Sequence, residues 1–312
     1  MTAIPGPASW PAAVVTIGTS GLGQVPPDGD PSAPVTPAEV ELAIGMLTSA
    51  HALVDTSNMY AGGRSEQVLG AAIRELGGLP EGIVVLSKAD RDLETGAFDR
   101  DRVWRSFEES TARLGLDRLP LYQLHDPYTI TFEQAMGPGG AVQGLTELRD
   151  QGLVGAIGVA AGPSELMAGY VRTGAFEVLL SHNRYTLVDA SAASLFHEAA
   201  QRGMAVLNAA PFGGGLLANG STNSTRYGYR PASDELLDWV ARLRRTCAEH
   251  GVSTGALALR FSTRSPWVRS TVVGISSLRR LAELDALLAE PIPENVWDAV
   301  EALGTPPSTL TD

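Results

Sequence analysis

Eight short apolar stretches alternate with segments of helical periodicity. No linker or charge block interrupts them, and three of the stretches close on an ionisable side chain. Strand–helix alternation marks a parallel sheet with crossover helices. Eight such units close into an α/β barrel of the (β/α)8 (TIM barrel) class, whose functional groups gather at the carboxyl ends of the strands. A chain of 312 residues is long for most single domains and ordinary for this one. Residues 1–312 are therefore expected to form one barrel domain with extra C-terminal helices. The competing architecture, an open doubly wound sheet, is disfavoured by the count of eight and by the lack of GxGxxG after the first strand.

The elements follow in order. Residues 13–19 read as the first strand, broken at Gly18, and a proline-rich loop covers 24–37. Thr36-Pro37-Ala38-Glu39 opens a helix, with a cap and a proline in the first turn, that runs to about residue 50. The strand ending at Asp55 follows, then a helix from Ser65 to the Gly77-Gly78 pair. Next come the strand ending at Lys88, a helix over about 102–114, the strand ending at His125 and a helix over about 143–151. The second half repeats the pattern with strands at 155–160, 177–181, 204–209 and 270–273. Its helices are expected at 163–171, 192–202, 233–250 and 277–288, with an additional helix at 254–262 and a long polar loop at 212–232.

Three strand ends carry the chemistry. Ala52-Leu53-Val54 runs into Asp55, and Tyr60 follows five places on through a polar turn. Val84 to Ser87 runs into Lys88, and Leu121 to Leu124 into His125. A buried apolar strand delivers its terminal polar residue to the rim of the sheet. If these strands are parallel neighbours, an acid, a phenol, an ammonium and an imidazole meet in one place. Lys88 is also the only lysine among 23 basic residues, the rest being arginine. Arginine cannot lose its proton in proteins, whereas a lysine's pKa shifts on burial. Lys88 is thus either a chance survivor of a coding bias or a group retained beside Asp55 and Tyr60 to tune the phenol.

Composition excludes several classes. A net charge of -12 and a pI near 4.9 argue against nucleic acid and anionic membranes as partners. Cys247 is the single cysteine, so no internal disulfide is possible; it reads as a surface or half-buried thiol. No Cys/His cluster suggests a metal. Residues 1–11 have neither a basic n-region nor an apolar h-region, and no run of about 18 apolar residues occurs. A cytoplasmic protein, monomeric or a small homo-oligomer, is expected. His51, His197 and His250 read as ordinary helix residues without partners, and the acids over 100–118 as a solvated helix face. Tyr227 and Tyr229 fall in the long polar loop, where closing over a ligand and simple surface placement are both open.

The motifs Asp55-Thr56-Ser57-Asn58-Met59-Tyr60, Gly63-Arg64-Ser65-Glu66, the strand-end Lys88 and Leu124-His125-Asp126 resemble those of the aldo-keto reductase superfamily over nearly the whole chain. Within it, Arg184-Tyr185-Thr186-Leu187, the stretch from Pro211 to Leu217, and Pro291-Ile292-Pro293 with Trp297 are similar to the bacterial aldose 1-dehydrogenase and pyridoxal dehydrogenase branch. The resemblance implies hydride transfer between NAD or NADP and a small carbonyl or sugar substrate, most simply C1 of an aldose. A pyridoxal-type or general aldehyde reductase is the alternative, and a non-catalytic nicotinamide-nucleotide-binding regulator a more distant one. Tyr60, Lys88, Asp55 and His125 take the places of the family's catalytic tetrad. A phenol titrates near 10, too high for a base at neutrality, and lowering it by two pH units corresponds to about 2.7 kcal/mol. Lys88 held by Asp55 would supply this, and His125, as a donor, would polarise the substrate carbonyl.

Cofactor contacts implied by the resemblance are Gly18, Thr19, His182, Phe212, Gly213, Gly214, Gly274, Ser276, Ser277 and Arg280. Glycine backbone and a helix N-terminus suit a pyrophosphate. The chain departs from the family pattern at Gly274, where a lysine meets the 2′-phosphate, at Ala160-Ala161, at Ala209 in place of a stacking aromatic, and at His182 in place of a glutamine. These departures make NAD the expected preference, with NADP tolerated through Arg280. The bland readings are a capping role for Ser276 and Ser277 and a solvent-facing Arg280.

Overall fold

In the computed structural model, which describes residues 4, 6–25, 30, 33–218, 224–307 and 310, the eight apolar stretches are all strands. They are β1 (Val15–Gly18), β2 (Leu53–Asp55), β3 (Val84–Ala89), β4 (Tyr122–His125), β5 (Ile157–Ala161), β6 (Val178–His182) and β7 (Ala205–Ala209). A short antiparallel hairpin, β8 (Arg226–Tyr227) and β9 (Arg230–Pro231), precedes the last, β10 (Val268–Gly274). β1 to β7 and β10 pair in parallel and close a barrel, with β10 seated between β7 and β1. The helices are α1 (Pro37–Leu47), α2 (Arg64–Glu75), α3 (Arg100–Leu114), α4 (Phe132–Met136), α5 (Ala141–Asp150), α6 (Ser164–Thr173) and α7 (Ala193–Gln201). α8 (Asp234–Glu249), α9 (Thr254–Thr263), α10 (Leu278–Ala289) and α11 (Glu294–Glu301) complete them.

Strand period and burial explain the layers. Leu53 and Leu86 lie two residues before Asp55 and Lys88, so they share those residues' inward face. With Leu121, Leu180, Leu207 and Val272 they fill the barrel beneath the rim, and Trp10 packs into the same cluster. The alternate positions, among them Ile17, Val54, Val85 and Val159, pack outward against the helices. A separate cluster joins α8, α9 and α11 to Leu216, Leu217 and Tyr227 at the barrel's flank. Register aligns the strand ends: Gly18 lies opposite both Gly274 and Asp55, and His125 opposite Ala160.

The helix starts follow the capping signals. Thr36 and Glu39 form the reciprocal capping box expected of them. Close packing requires Gly70 between α2 and α3, where a Cβ would stand 1.9 Å from the Arg113 carbonyl oxygen.

Two elements were not foreseen. α4 spans five residues, too short to show periodicity, with only the Thr131/Gln134 capping box as a signal. α11, beyond Pro293, is an extra C-terminal helix of the kind expected, to which no residues had been assigned. The hairpin turns at Gly228 and Tyr229, with φ 54° and 68°, in the left-handed conformation that two-residue hairpin loops require. A tyrosine there masks the signal. Residues 26–29, 31–32 and 219–223 of the two expected loops lie outside the described residues.

Several bland side-chain readings need correcting. Cys247 is buried in the flanking cluster, on the inward face of α8. His51 is buried and meets Asp285 at 3.0 Å, His250 Nδ1 lies 2.9 Å from the Thr246 carbonyl, and His197 stacks on Trp267. Asp101, Glu108 and Asp117 are solvated as expected, while Glu109 binds Arg102 at 2.8 Å. Among the described residues no helix is long and apolar enough to cross a membrane, and no cluster of His, Cys, Asp and Glu could hold a metal.

Candidate active site

Parallel pairing of β2, β3 and β4 brings the three strand-end groups to one rim. Asp55 ends β2 and Lys88 lies one residue before the end of β3. Tyr60 opens the single 3-10 turn after β2, where Ala61 takes a left-handed φ of 51°. The Lys88 ammonium is wholly buried and donates to three oxygens: Asp55 Oδ2 at 2.6 Å, the Thr56 carbonyl at 2.7 Å and Tyr60 Oη at 3.0 Å. Every proton of the ammonium is thus used, and its position is fixed. With one of these bonds ending on Tyr60 Oη, the phenol's own proton is free for the cavity. The His125 ring meets the Tyr60 ring edge-on, with centroids 5.7 Å apart.

The electrostatics differ from expectation at the phenol. Burial pushes Tyr60 up to about 12, and the Lys88 charge, which works the other way, does not offset it. Tyr60 is therefore a proton-bearing donor at neutral pH. Burial also disfavours the charge on Lys88, but Asp55 and the Tyr60 oxygen outweigh it and hold the ammonium above the ordinary lysine value. Burial raises the Asp55 carboxyl against the pull of Lys88. Of this pair, the upward shift of Lys88 decides the chemistry, because three oxygens crowd one nitrogen.

Two acids missed at the sequence level complete the rim. Asp90 lies two residues past Lys88, fully buried, with Oδ1 2.7 Å from His125 Nδ1. Its other oxygen accepts from the Met59 N–H at 3.0 Å and from the Ser57 hydroxyl. The signal for it was the two-residue strand period carried one step beyond the apolar run. Asp126, at the left-handed φ of 43°, sits 3.9 Å from the Nε2 atoms of both His125 and His182. Burial would raise its carboxyl, but the His182 and His125 imidazoles more than offset this and hold it below the usual value. Its Oδ1 has no hydrogen-bond partner.

These groups open into a cavity of about 900 Å³, within the range of small-molecule and cofactor sites. Asp55, Tyr60 and His125 reach its wall, and Lys88 stands behind them. Of the expected cofactor residues, Gly18, His182, Phe212, Gly214, Gly274 and Arg280 line it. Thr19 does not: its hydroxyl is buried and donates to the Asp55 carbonyl at 3.1 Å, tying β1 to β2. Gly213 is turned inward, where a Cβ would meet the Tyr227 ring at 2.5 Å. Ser277 caps α10 through the Arg280 N–H, and neither it nor the exposed Ser276 lines the cavity. The two loop tyrosines part company. Tyr227 is buried and bonds to Thr186 and the Asn183 carbonyl, while Tyr229 is 70% exposed and stands over the cavity, edge-on to His182.

The aldo/keto reductase family model matches residues 15–305, almost the entire barrel. The chain belongs to the aldo/keto reductase family. It is an NAD(P)-dependent oxidoreductase of small carbonyl or alcohol substrates. Among its relatives, a D-threo-aldose 1-dehydrogenase of Pseudomonas sp is 33% identical over 202 residues, 64% of this chain and 61% of that one. A pyridoxal 4-dehydrogenase of Microbacterium luteolum is 27% identical, covering 93% of this chain and 95% of its own. An L-galactose dehydrogenase of Arabidopsis thaliana is 28% identical over 82% and 81%. The fold is also that of the holo form of a Bacillus halodurans aldo-keto reductase, with a TM-score of 0.72 at 19% identity over 97% of this chain and 95% of that one.

The residues present suit a nicotinamide dinucleotide. Arg280 lines the cavity with no anionic partner among the described residues, and Gly214 lines the same cavity, where a Cβ would meet nothing closer than the Arg226 carbonyl oxygen at 4.0 Å.

Proposed function

We propose that this reductase oxidises C1 of an aldose to the lactone, with NAD as the preferred cofactor. The observation that carries this reading is the polar rim. Asp126, His125 and His182 stand together on the cavity wall, so the wall suits a ligand with several hydroxyl groups. The similarity to aldose and galactose dehydrogenases supports it.

In this account Tyr60 exchanges a proton with the reacting oxygen, and Lys88, fixed by Asp55 and Thr56, stabilises the phenolate left behind. Asp55 offsets the cost of burying that ammonium. When bound, the nicotinamide supplies the carbon that takes or gives the hydride. Gly18, Phe212, Gly214, Gly274 and Arg280 would hold the dinucleotide, and His182 would reach its carboxamide end.

The cofactor preference rests on cations. A 2′-phosphate needs positive partners within reach. Arg279 is exposed and paired with Glu283, and Gly274 offers no charge, which leaves Arg280 alone on the cavity wall among the described residues. One partly exposed charge contributes about 0–1 kcal/mol.

The test is absorbance at 340 nm with L-fucose, D-arabinose, pyridoxal and simple aldehydes against both cofactors. Turnover of aldoses with NAD supports the reading. Turnover confined to pyridoxal moves the enzyme to the other branch, and binding of cofactor without turnover of any substrate would make it a regulator.

A further inference from the structure

The orientation of His125 is set from behind. Asp90 Oδ2 already accepts two hydrogen bonds, from Met59 N–H and Ser57 Oγ, so the buried carboxylate faces His125 as an acceptor through Oδ1. An acceptor at 2.7 Å requires the hydrogen to ride on Nδ1. Ser57 Oγ, 3.1 Å from the same nitrogen, has committed its proton to Asp90 and does not compete. Asp126, 3.9 Å from Nε2, is too far to claim a hydrogen there. The neutral ring therefore carries its lone pair on Nε2, on the side of the cavity wall.

We infer that Asp90 is a specificity-determining positioning residue: by holding His125 in the Nδ1–H tautomer it turns Nε2 into an acceptor, so that the site selects substrates with a hydroxyl donor beside the reacting carbon. This reverses the role expected of His125, a donor that polarises the substrate carbonyl. It rests on the aldose reading above and narrows it to 2-hydroxy carbonyl compounds and their cyclic hemiacetals. The reacting oxygen belongs to Tyr60, whose free phenol proton points to it. The imidazole, one ring-width away, meets the neighbouring hydroxyl. A site built to bond a substrate hydroxyl discriminates strongly against the analogue that lacks it, because the acceptor is then left bare.

Asp90→Asn undoes the device without changing its size. The new amide can donate to Nδ1, which moves the ring hydrogen to Nε2 and makes that nitrogen a donor. Two measurements test the proposal. In the wild-type protein at pH 8, 15N spectra of the ring should show His125 as the neutral Nδ1–H tautomer; an Nε2–H or doubly protonated ring would overturn the proposal. In steady-state reduction, the ratio of kcat/KM for D-glyceraldehyde over propanal should exceed about tenfold in wild type and fall at least fivefold in Asp90→Asn. A merely structural role for Asp90 would lower both substrates alike and leave the ratio unmoved, which would also overturn it. The tautomer needs no turnover, so a wild-type protein inactive toward all these compounds would sink the aldose reading and still leave Asp90 decided by the spectrum.

Discussion

At the scale of single residues, the proposed chemistry of the rim centres on Tyr60. Tyr60→Phe removes the group proposed to exchange a proton with the reacting oxygen while keeping the ring. Turnover should fall by about 10²–10⁴-fold, the usual contribution of a general acid/base. NADH binding, followed by fluorescence titration, should stay within about threefold of wild type. Activity within tenfold of wild type would remove Tyr60 from the mechanism. The pH dependence has a definite sign. Burial holds the phenol at about 12, so it is fully protonated at neutral pH, and its deprotonated fraction grows about tenfold for each pH unit below that value. Oxidation, which needs a proton acceptor, should therefore accelerate steadily from pH 7 to pH 10. A rate that levels off below pH 8 would show another group taking the proton. Asp55, Lys88 and His125 were legible in the sequence because each ends an apolar run. Asp90 was not, since it stands past the end of its run. Nothing in the sequence separates Tyr227, buried beneath Gly213, from Tyr229, exposed over the cavity, because the turn that divides them is itself hidden.

Among the elements, the α2–α3 contact tests the packing that positions the rim. α2 begins directly after the turn carrying Tyr60, and Gly70 on its inner face meets the last turn of α3. Gly70→Ala would drive a methyl to 1.9 Å from the Arg113 carbonyl oxygen, so the helices must part. Such overpacking costs about 1–3 kcal/mol, and thermal unfolding should shift down by several degrees. An unchanged midpoint would mean that α2 slides freely, and with it the Tyr60 turn. Helices and strands of ordinary length were legible, because their periodicity extends over enough residues to be seen. α4 and the hairpin were not, since each is fixed by a few local hydrogen bonds and by its place on the barrel.

For the whole molecule, the question is which dinucleotide the barrel accepts. With Arg280 as the only cavity-wall cation near α10 among the described residues, NADP cannot be strongly favoured. The ratio of kcat/KM for NAD over NADP at one saturating sugar should be above one. A ratio a hundredfold in favour of NADP, roughly 2.7 kcal/mol, would require a phosphate partner that the wall does not offer. The barrel itself was readable from the count of eight strands. The choice of cofactor depends on side-chain directions at one helix start, which the order of residues conveys only in part.

The solitary lysine has a practical consequence for labelling chemistry. Lys88 is the one ε-amine in the chain and has no solvent exposure. Amine-reactive reagents should leave it untouched in the native protein, any α-amino group aside, and acylate it only when the rim opens. Once modified, the amine loses its charge and its three oxygen partners, so it cannot reseat. Mass spectrometry of a timed acylation would then record each opening as a permanent mark on a single peptide. Added NAD should slow that clock if the cofactor closes over the rim. A native protein acylated at Lys88 as quickly as an unfolded one would show that the rim breathes far more than its hydrogen bonds suggest.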